Sequence, residues 1–190
     1  MRARKLAAAF LLAAGVGCSG SNAPADQKST EAPRETASAP LTPVLARAHL
    51  ADAATEAKKW RPDAVIIQIG GRRVPDDGKV AWWDYGAWSP SAKTCLVITF
   101  IRGTVNTQES GGAACESGAL GQIIDSDQVM TIARTNGITK QDVNLVAMAS
   151  PSRTGASTWS VIEEGMRNPG NVTLDIDAAT GKVVNTTRTP

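Results

Sequence analysis

The sequence is poor in the residues that most metal and nucleic-acid sites require. It contains one histidine, His49, and three cysteines in 190 residues, too few for a zinc site with the usual four cysteine and histidine ligands. The net charge is +2, and Arg2, Arg4 and Lys5 alone contribute three positive charges. No lysine- or arginine-rich run follows these first five residues. The absence of a basic stripe argues against a nucleic-acid partner, and we expect neither a metal nor a cofactor.

Candidate catalytic residues are equally scarce. His49 could act as a general base only beside a nucleophile and an orienting carboxylate. Asp52 lies three residues further on, but this spacing is common on any polar helix face. No second histidine is present to activate a cysteine thiol. We therefore predict that the protein is not an enzyme.

The first 18 residues have the pattern of an export signal. Three basic residues precede an apolar run, Leu6–Val16, which is too short to span a bilayer as a helix. The run ends at Gly17-Cys18, which resembles the lipobox of bacterial lipoproteins, although Gly15 stands where leucine is usual. The resemblance implies lipid attachment at Cys18 and a palmitate-bearing anchor in the cell envelope, at the outer membrane if the cell has one. Secretion after cleavage nearby is the alternative.

Residues 19–41 are small, polar or charged, with several prolines and a single large apolar residue, Leu41. Such a segment cannot bury enough apolar surface to offset the entropy of ordering it. We predict a disordered tether between the anchor and the folded part.

The rest of the chain predicts an α+β fold of two tandem units, each a helix–strand–strand–strand unit with one small antiparallel sheet. The first unit covers residues 42–107 and the second 124–190, with a glycine-rich connector at 108–123. Each unit opens on an apolar helical pattern and continues with short β-branched runs. Trp83 and Trp159 occupy matching places, as do Asp63 and Asp142, at nearly equal spacings.

Two stretches resemble PepSY domains. The sequence from Leu174 to Val184, LDIDAATGKVV, is similar to the closing hairpin of that family. The first unit is similar to the rest of the pattern at Ala53–Trp60, Asp77-Gly78, Trp83–Tyr85, Ser89-Pro90 and Cys95–Ile101. PepSY domains occur in propeptides of thermolysin-type metalloproteases and in bacterial envelope proteins. The resemblance implies a binding or inhibitory module and carries no set of active-site residues.

Three groups of residues are candidates for a structural or functional role. Cys95 and Cys115 remain after Cys18 is assigned to the anchor, and in an exported protein they predict a disulfide. Trp82 and Trp88 fall on the strand face opposite Trp83, so they either pack between the units or form a partner surface. Four carboxylates of the second unit could pair as acid and base or bind a cation: Glu163, Glu164, Asp175 and Asp177. Alternation with Leu174 and Ile176 places Asp175 and Asp177 on the solvent-exposed face of a half-buried strand.

These features favour an envelope-anchored lipoprotein that acts as a non-catalytic protein-binding module, with modulation or inhibition of a protease as one form of that role. The membrane is reached through the lipid, and the protein partner is not identified by the sequence. The alternative is a structural or small-molecule-binding component of an envelope assembly.

Overall fold

A computed structural model describes residues 41–111, 115–149, 156–165 and 168–190. The predicted signal peptide, the lipid attachment residue Cys18 and the predicted tether up to residue 40 lie outside the described residues. The described residues belong to one compact unit, Ser38–Pro190. Within these ranges, no helix is long and apolar enough to cross a membrane.

Helices and strands follow one another in the order α1, β1 to β4, α2, β5 to β8. The helices are α1 (Leu50–Trp60) and α2 (Ser126–Thr135). The strands are β1 (Val65–Val74), β2 (Asp84–Ser89), β3 (Thr94–Ile101), β4 (Thr104–Gly111), β5 (Val143–Ala149), β6 (Ser157–Glu163), β7 (Val172–Asp177) and β8 (Val183–Arg188).

All eight strands form one antiparallel sheet, in the order β4-β3-β2-β1-β5-β6-β7-β8. The predicted fold of two helix–strand–strand–strand units with separate small sheets is therefore wrong. β1 pairs directly with β5, from Gln68 opposite Met148 to Val74 opposite Val143. This pairing satisfies the backbone groups that two separate sheets would leave exposed at their edges, so a single wide sheet forms.

The sequence also missed one strand. β4 lies where the first unit was expected to end and the glycine-rich connector to begin. Its residues, TVNTQESG, are all exposed and lack the alternating apolar pattern by which strands are recognised in a sequence. β4 is a strand because it pairs with β3 over eight residues, from Thr94 opposite Gly111 to Ile101 opposite Thr104.

One face of the sheet packs against both helices and forms the core. Ala53 and Ala57 of α1 and Val129 and Met130 of α2 are fully buried in it. A bulge in β1 between Ile66 and Gln68 lets Ile66 and Ile69 both enter the core. Without the extra residue, two positions three apart on a strand would point to opposite faces.

Two buried tryptophans connect the sheet to both helices. Trp83 and Trp159 contact each other edge to face, with ring centroids 6.4 Å apart. The indole N–H of Trp83 donates to the Val44 carbonyl at 2.9 Å, and that of Trp159 donates to the Ile124 carbonyl at 3.1 Å. A buried indole N–H requires such an acceptor. The two rings thereby hold the segment before each helix against the sheet.

The start of α2 joins these segments to each other. Asp125 and Gln128 form a capping box, which their spacing of three residues in the sequence predicts. The buried Ser126 hydroxyl accepts the Ala46 N–H at 3.0 Å and donates to the Gly78 carbonyl at 2.7 Å. Gly78 has φ +71°, and a Cβ there would lie 2.4 Å from the Asp127 nitrogen. Only glycine permits this close approach.

Gly71 of β1 provides the space for the Trp83 ring. A Cβ at Gly71 would lie 2.4 Å from that ring, whereas a Cβ at the neighbouring Gly70 would meet its nearest atom, on Gln68, at 3.9 Å. We predict that Gly71→Ala lowers the free energy of unfolding by about 1–3 kcal/mol through overpacking. Gly70→Ala is the matched control and should be nearly neutral. Urea denaturation measures both, and equal stability of the two variants would contradict the role of the ring contact.

Candidate functional site

No helix in the described residues covers the second face of the sheet, which we call the open face. In β5, β6 and β7 every other residue is buried towards the helices, and the residues between them are half-buried or exposed. Met148 is 50 % exposed and Val97 is 37 % exposed. A face of eight strands without a covering layer is a surface on which another molecule can lie.

A row of mostly polar side chains crosses the open face from edge to edge. Each of its eight members pairs with the next one on the neighbouring strand. We call these residues the polar row: Asn106, Thr99, Asp84, Gly70, Val146, Ser160, Asp175 and Asn185. Neighbouring strands lie about 4.8 Å apart, so the row is about 34 Å long.

Two carboxylates of the polar row are held by hydroxyl groups on the adjacent strand. Thr99 Oγ1 on β3 donates to Asp84 Oδ1 on β2 at 2.7 Å. Ser160 Oγ on β6 donates to Asp175 Oδ1 on β7, also at 2.7 Å. Asn185 Nδ2 donates to the second oxygen of Asp175 at 3.1 Å. These bonds fix the direction of each carboxylate without neutralising its charge.

The carboxylates of the open face lie on β2 and β7. A second row runs beside the polar row and consists of Gln108, Val97, Gly86, Gln68, Met148, Thr158 and Asp177. Together the two rows contain three carboxylates and no lysine or arginine. Asp84 and Asp175 are four strands apart, or about 19 Å. Such a surface attracts a partner with basic side chains.

One corner of the open face is closed by the predicted disulfide, which the structure confirms between Cys95 and Cys115. Ile67 and Trp88 are buried with Cys95 in a small cluster beside it. After the disulfide, the chain crosses the end of the sheet: the Leu120 N–H donates to the Ile66 carbonyl at 2.6 Å. The bridge therefore holds the connector against the sheet.

The two tryptophans that were candidates for a partner surface differ in exposure. Trp82 precedes β2 and is 48 % exposed, whereas Trp88 near the end of β2 is 5 % exposed. Of the pair, Trp82 alone offers substantial surface to a partner. Whether it contacts one stays a prediction.

A cavity of about 310 Å³ lies between α1, the start of β1 and the connector. Its lining is apolar except for Lys58, whose Nζ donates to the Pro62 carbonyl at 3.0 Å. The largest apolar residues that line it are Leu50, Ile66 and Leu120. Its volume is at the lower end of that of small-molecule sites.

The carboxylates proposed from the sequence do not form one cluster. Glu163 is buried and accepts the N–H groups of Val172, Thr139 and Lys140. Burial raises the pKa of Glu163, but these hydrogen bonds outweigh it and hold the pKa below its usual value. Asp177 accepts from the Thr180 hydroxyl at 2.7 Å. Within the described ranges, no three His, Cys, Asp or Glu side chains could hold a metal ion together.

The sequence did not reveal the Asp84–Thr99 pair. A signal was present, because Asp84 follows Trp83 and Ser160 follows Trp159. Both residues must then face away from the buried rings. Their partners on β3 and β7 could be identified only once the strand registers were known.

Comparison with known proteins does not assign a family. No protein-family model matches the chain, and no curated protein matches it, so the PepSY-like resemblance stays a prediction. One solved structure is similar, a protein from Clostridium difficile 630 named "putative lipoprotein", with a TM-score of 0.49 and 12 % identity. The match covers 73 % of this chain and 91 % of that chain. A likeness this distant carries no argument about function.

Asp63 should make stability depend on pH in acid. Its carboxylate accepts the Ser91 N–H and the Ser89 hydroxyl, each at 2.8 Å, and mainly the Ser91 N–H lowers the pKa of Asp63 from 3.8 to about 2. Because the folded-state pKa is depressed, the stabilisation is complete above the unfolded-state pKa and is lost as the pH falls through about 2.

We predict that Asp63→Asn lowers the midpoint of urea unfolding at neutral pH. The difference from the wild type should shrink as the pH falls from 4 towards 2. Asp142→Asn, at the matching place before β5, is the control. A difference that is constant across this pH range would show that ionisation of Asp63 does not contribute.

Proposed function

We propose that this chain is a lipid-anchored envelope protein that binds another protein through the open face of its sheet, without catalysing a reaction. The observation that carries the proposal is an uncovered face, eight strands wide, on which Asp84 and Asp175 are oriented by hydroxyl groups of neighbouring strands. A protease is the class of partner that the PepSY-like resemblance implies, and modulation of its activity would follow from occupying its surface.

The geometry of the face supports a macromolecular partner more than a small one. Two carboxylates about 19 Å apart can contact separate basic residues of one protein surface at the same time. The Trp82 ring, 48 % exposed before β2, adds an apolar contact of the kind that interfaces favour. The partner should therefore present lysine or arginine residues and bind less tightly as salt is added.

Location in the envelope rests on the sequence. The Gly17-Cys18 junction follows an apolar leader, and 22 residues separate Cys18 from Leu41, where the described structure begins. A polar segment of this length would let the sheet reach a partner beyond the membrane surface. Stable attachment would come from two or more acyl chains.

We predict that Cys18→Ser moves the protein from the membrane fraction to the soluble fraction and abolishes labelling with a palmitate analogue. Ser19→Ala leaves the acylated thiol in place and should keep both properties. Fractionation and in-gel detection of the label make the test. A Cys18→Ser protein that stays in the membrane fraction would mean that another segment provides the anchor.

We predict that the double variant Asp84→Asn and Asp175→Asn loses a basic partner that the wild type binds. The partner is captured by cross-linking in detergent-solubilised envelope, identified by mass spectrometry, purified and titrated. The expected loss is at least about tenfold in affinity, since a charge pair at an interface contributes about 1–2 kcal/mol. Added salt should weaken binding of the wild type in the same direction.

The matched control is Asp52→Asn with Glu56→Gln, which removes the same charge from α1 on the opposite side of the sheet. It should bind like the wild type. If both double variants bind equally well, the open face is not the binding surface. If both double variants bind the partner equally weakly, binding depends only on the net charge of the protein, which also contradicts the proposal.

The cavity between α1 and the connector favours a second candidate, a small apolar ligand. Its lining is apolar apart from Lys58, which suits a ligand with an apolar body and an anionic end. A fluorescent fatty-acid probe distinguishes the two functions. Binding that Ala54→Trp abolishes while the open-face double variant binds normally would support the cavity.

A further inference from the structure

The two edges of the sheet are protected to different degrees. Exposed edge strands usually carry lysine, arginine, proline or a bulge that discourages pairing with another chain. β8 has such protection: its pairing with β7 is irregular between Asp175 and Ile176, and it ends at Arg188. Beyond β8, Thr189 pairs with Gly170 and Asn171. β8 is therefore a poor edge for a new strand.

β4 is less protected. Its eight residues pair with β3 without a bulge and include no lysine, arginine or proline. Its single charge, Glu109, lies near α1 and accepts the Trp60 indole N–H at 3.2 Å. All eight residues are exposed, so neither face of β4 is buried. A strand that buries so little surface becomes more ordered when another strand pairs with its outer edge.

The hairpin before β4 decides which backbone groups point outwards. Arg102 and Gly103 both have positive φ, 53° and 75°, as a two-residue type I′ turn requires. Such a turn makes Ile101 and Thr104 a hydrogen-bonded pair, and alternation then directs the N–H and C=O groups of Val105, Thr107 and Glu109 away from β3. Among the described residues, none forms a backbone hydrogen bond to these outward groups.

We propose that β4 of a second copy occupies this edge, antiparallel and related by a two-fold axis through Thr107. The two sheets then form one continuous sheet across the two molecules. In this register Thr107 faces Thr107, and Val105 faces Glu109 of the other copy. The outward groups of both strands pair in about six backbone hydrogen bonds.

The sequence of β4 suits pairing with itself. Because Glu109 faces Val105 in this register, the Glu109 side chains of the two copies do not lie opposite each other. Asn106 faces Gln108, so the amide side chains can bond across the axis, and the Thr107 pair is a favourable cross-strand contact. Strand pairing alone buries less surface than a standard interface, so the dimer should be weak and depend on concentration. This inference is independent of the partner proposed for the open face.

Charge variants at the two-fold axis test the register. Thr107→Lys and Thr107→Glu each place two like charges opposite each other, and each should weaken the dimer by about tenfold at low ionic strength. An equimolar mixture of the two variants should restore dimers, because opposite charges then meet. Sedimentation equilibrium of the full-length chain carrying Cys18→Ser measures this without acyl chains that could bring copies together.

Thr186→Lys places the same charge on the exposed edge strand β8 and should leave the dimer unchanged. Thermal melting of every variant checks that folding is intact. A wild-type chain that stays monomeric up to about 1 mM, the range of weak association, would overturn the proposal. So would a mixture that does not restore dimers, or Thr186→Lys weakening association as much as Thr107→Lys.

Discussion

The edge-to-face contact between Trp83 and Trp159 is the interaction on which the rest of the structure depends. Trp83 directly precedes β2 and Trp159 lies in β6, and the two rings meet across the paired strands β1 and β5. The indole N–H of each ring also donates to a carbonyl in the segment that precedes a helix. One contact therefore sets the positions of both helices against the sheet. Gly71 is part of this arrangement, since no larger residue leaves room for the Trp83 ring.

Burying both tryptophans on the helix side determines what the other face can be. Strand alternation turns Asp84 and Ser160, which follow the two tryptophans, towards solvent. On one side of the central strands Asp84 accepts a hydrogen bond from Thr99, and on the other side Ser160 donates one to Asp175. The packing of the core thus imposes the pattern of the open face.

Prediction from the sequence succeeded where the signal was local. The capping box of Asp125 and Gln128 was visible because a helix N-terminus is set by residues three apart. The Cys95–Cys115 disulfide followed from cysteine number and the export signal. β4 was missed because a polar strand at an edge has no apolar alternation, and its only sequence signal is the turn at Gly103 that precedes it.

By itself, the sequence determined the presence of both helices, most of the strands, the disulfide and the inward direction of Trp83, because each depends on neighbouring residues or on the few cysteines available. Only the tertiary structure decided that β1 and β5 join all the strands into one sheet. Pairing between residues as distant as Gln68 and Met148 depends on register and the burial of both strands, which no local pattern encodes. The polar row follows from that pairing, so it too could be found only in the folded chain.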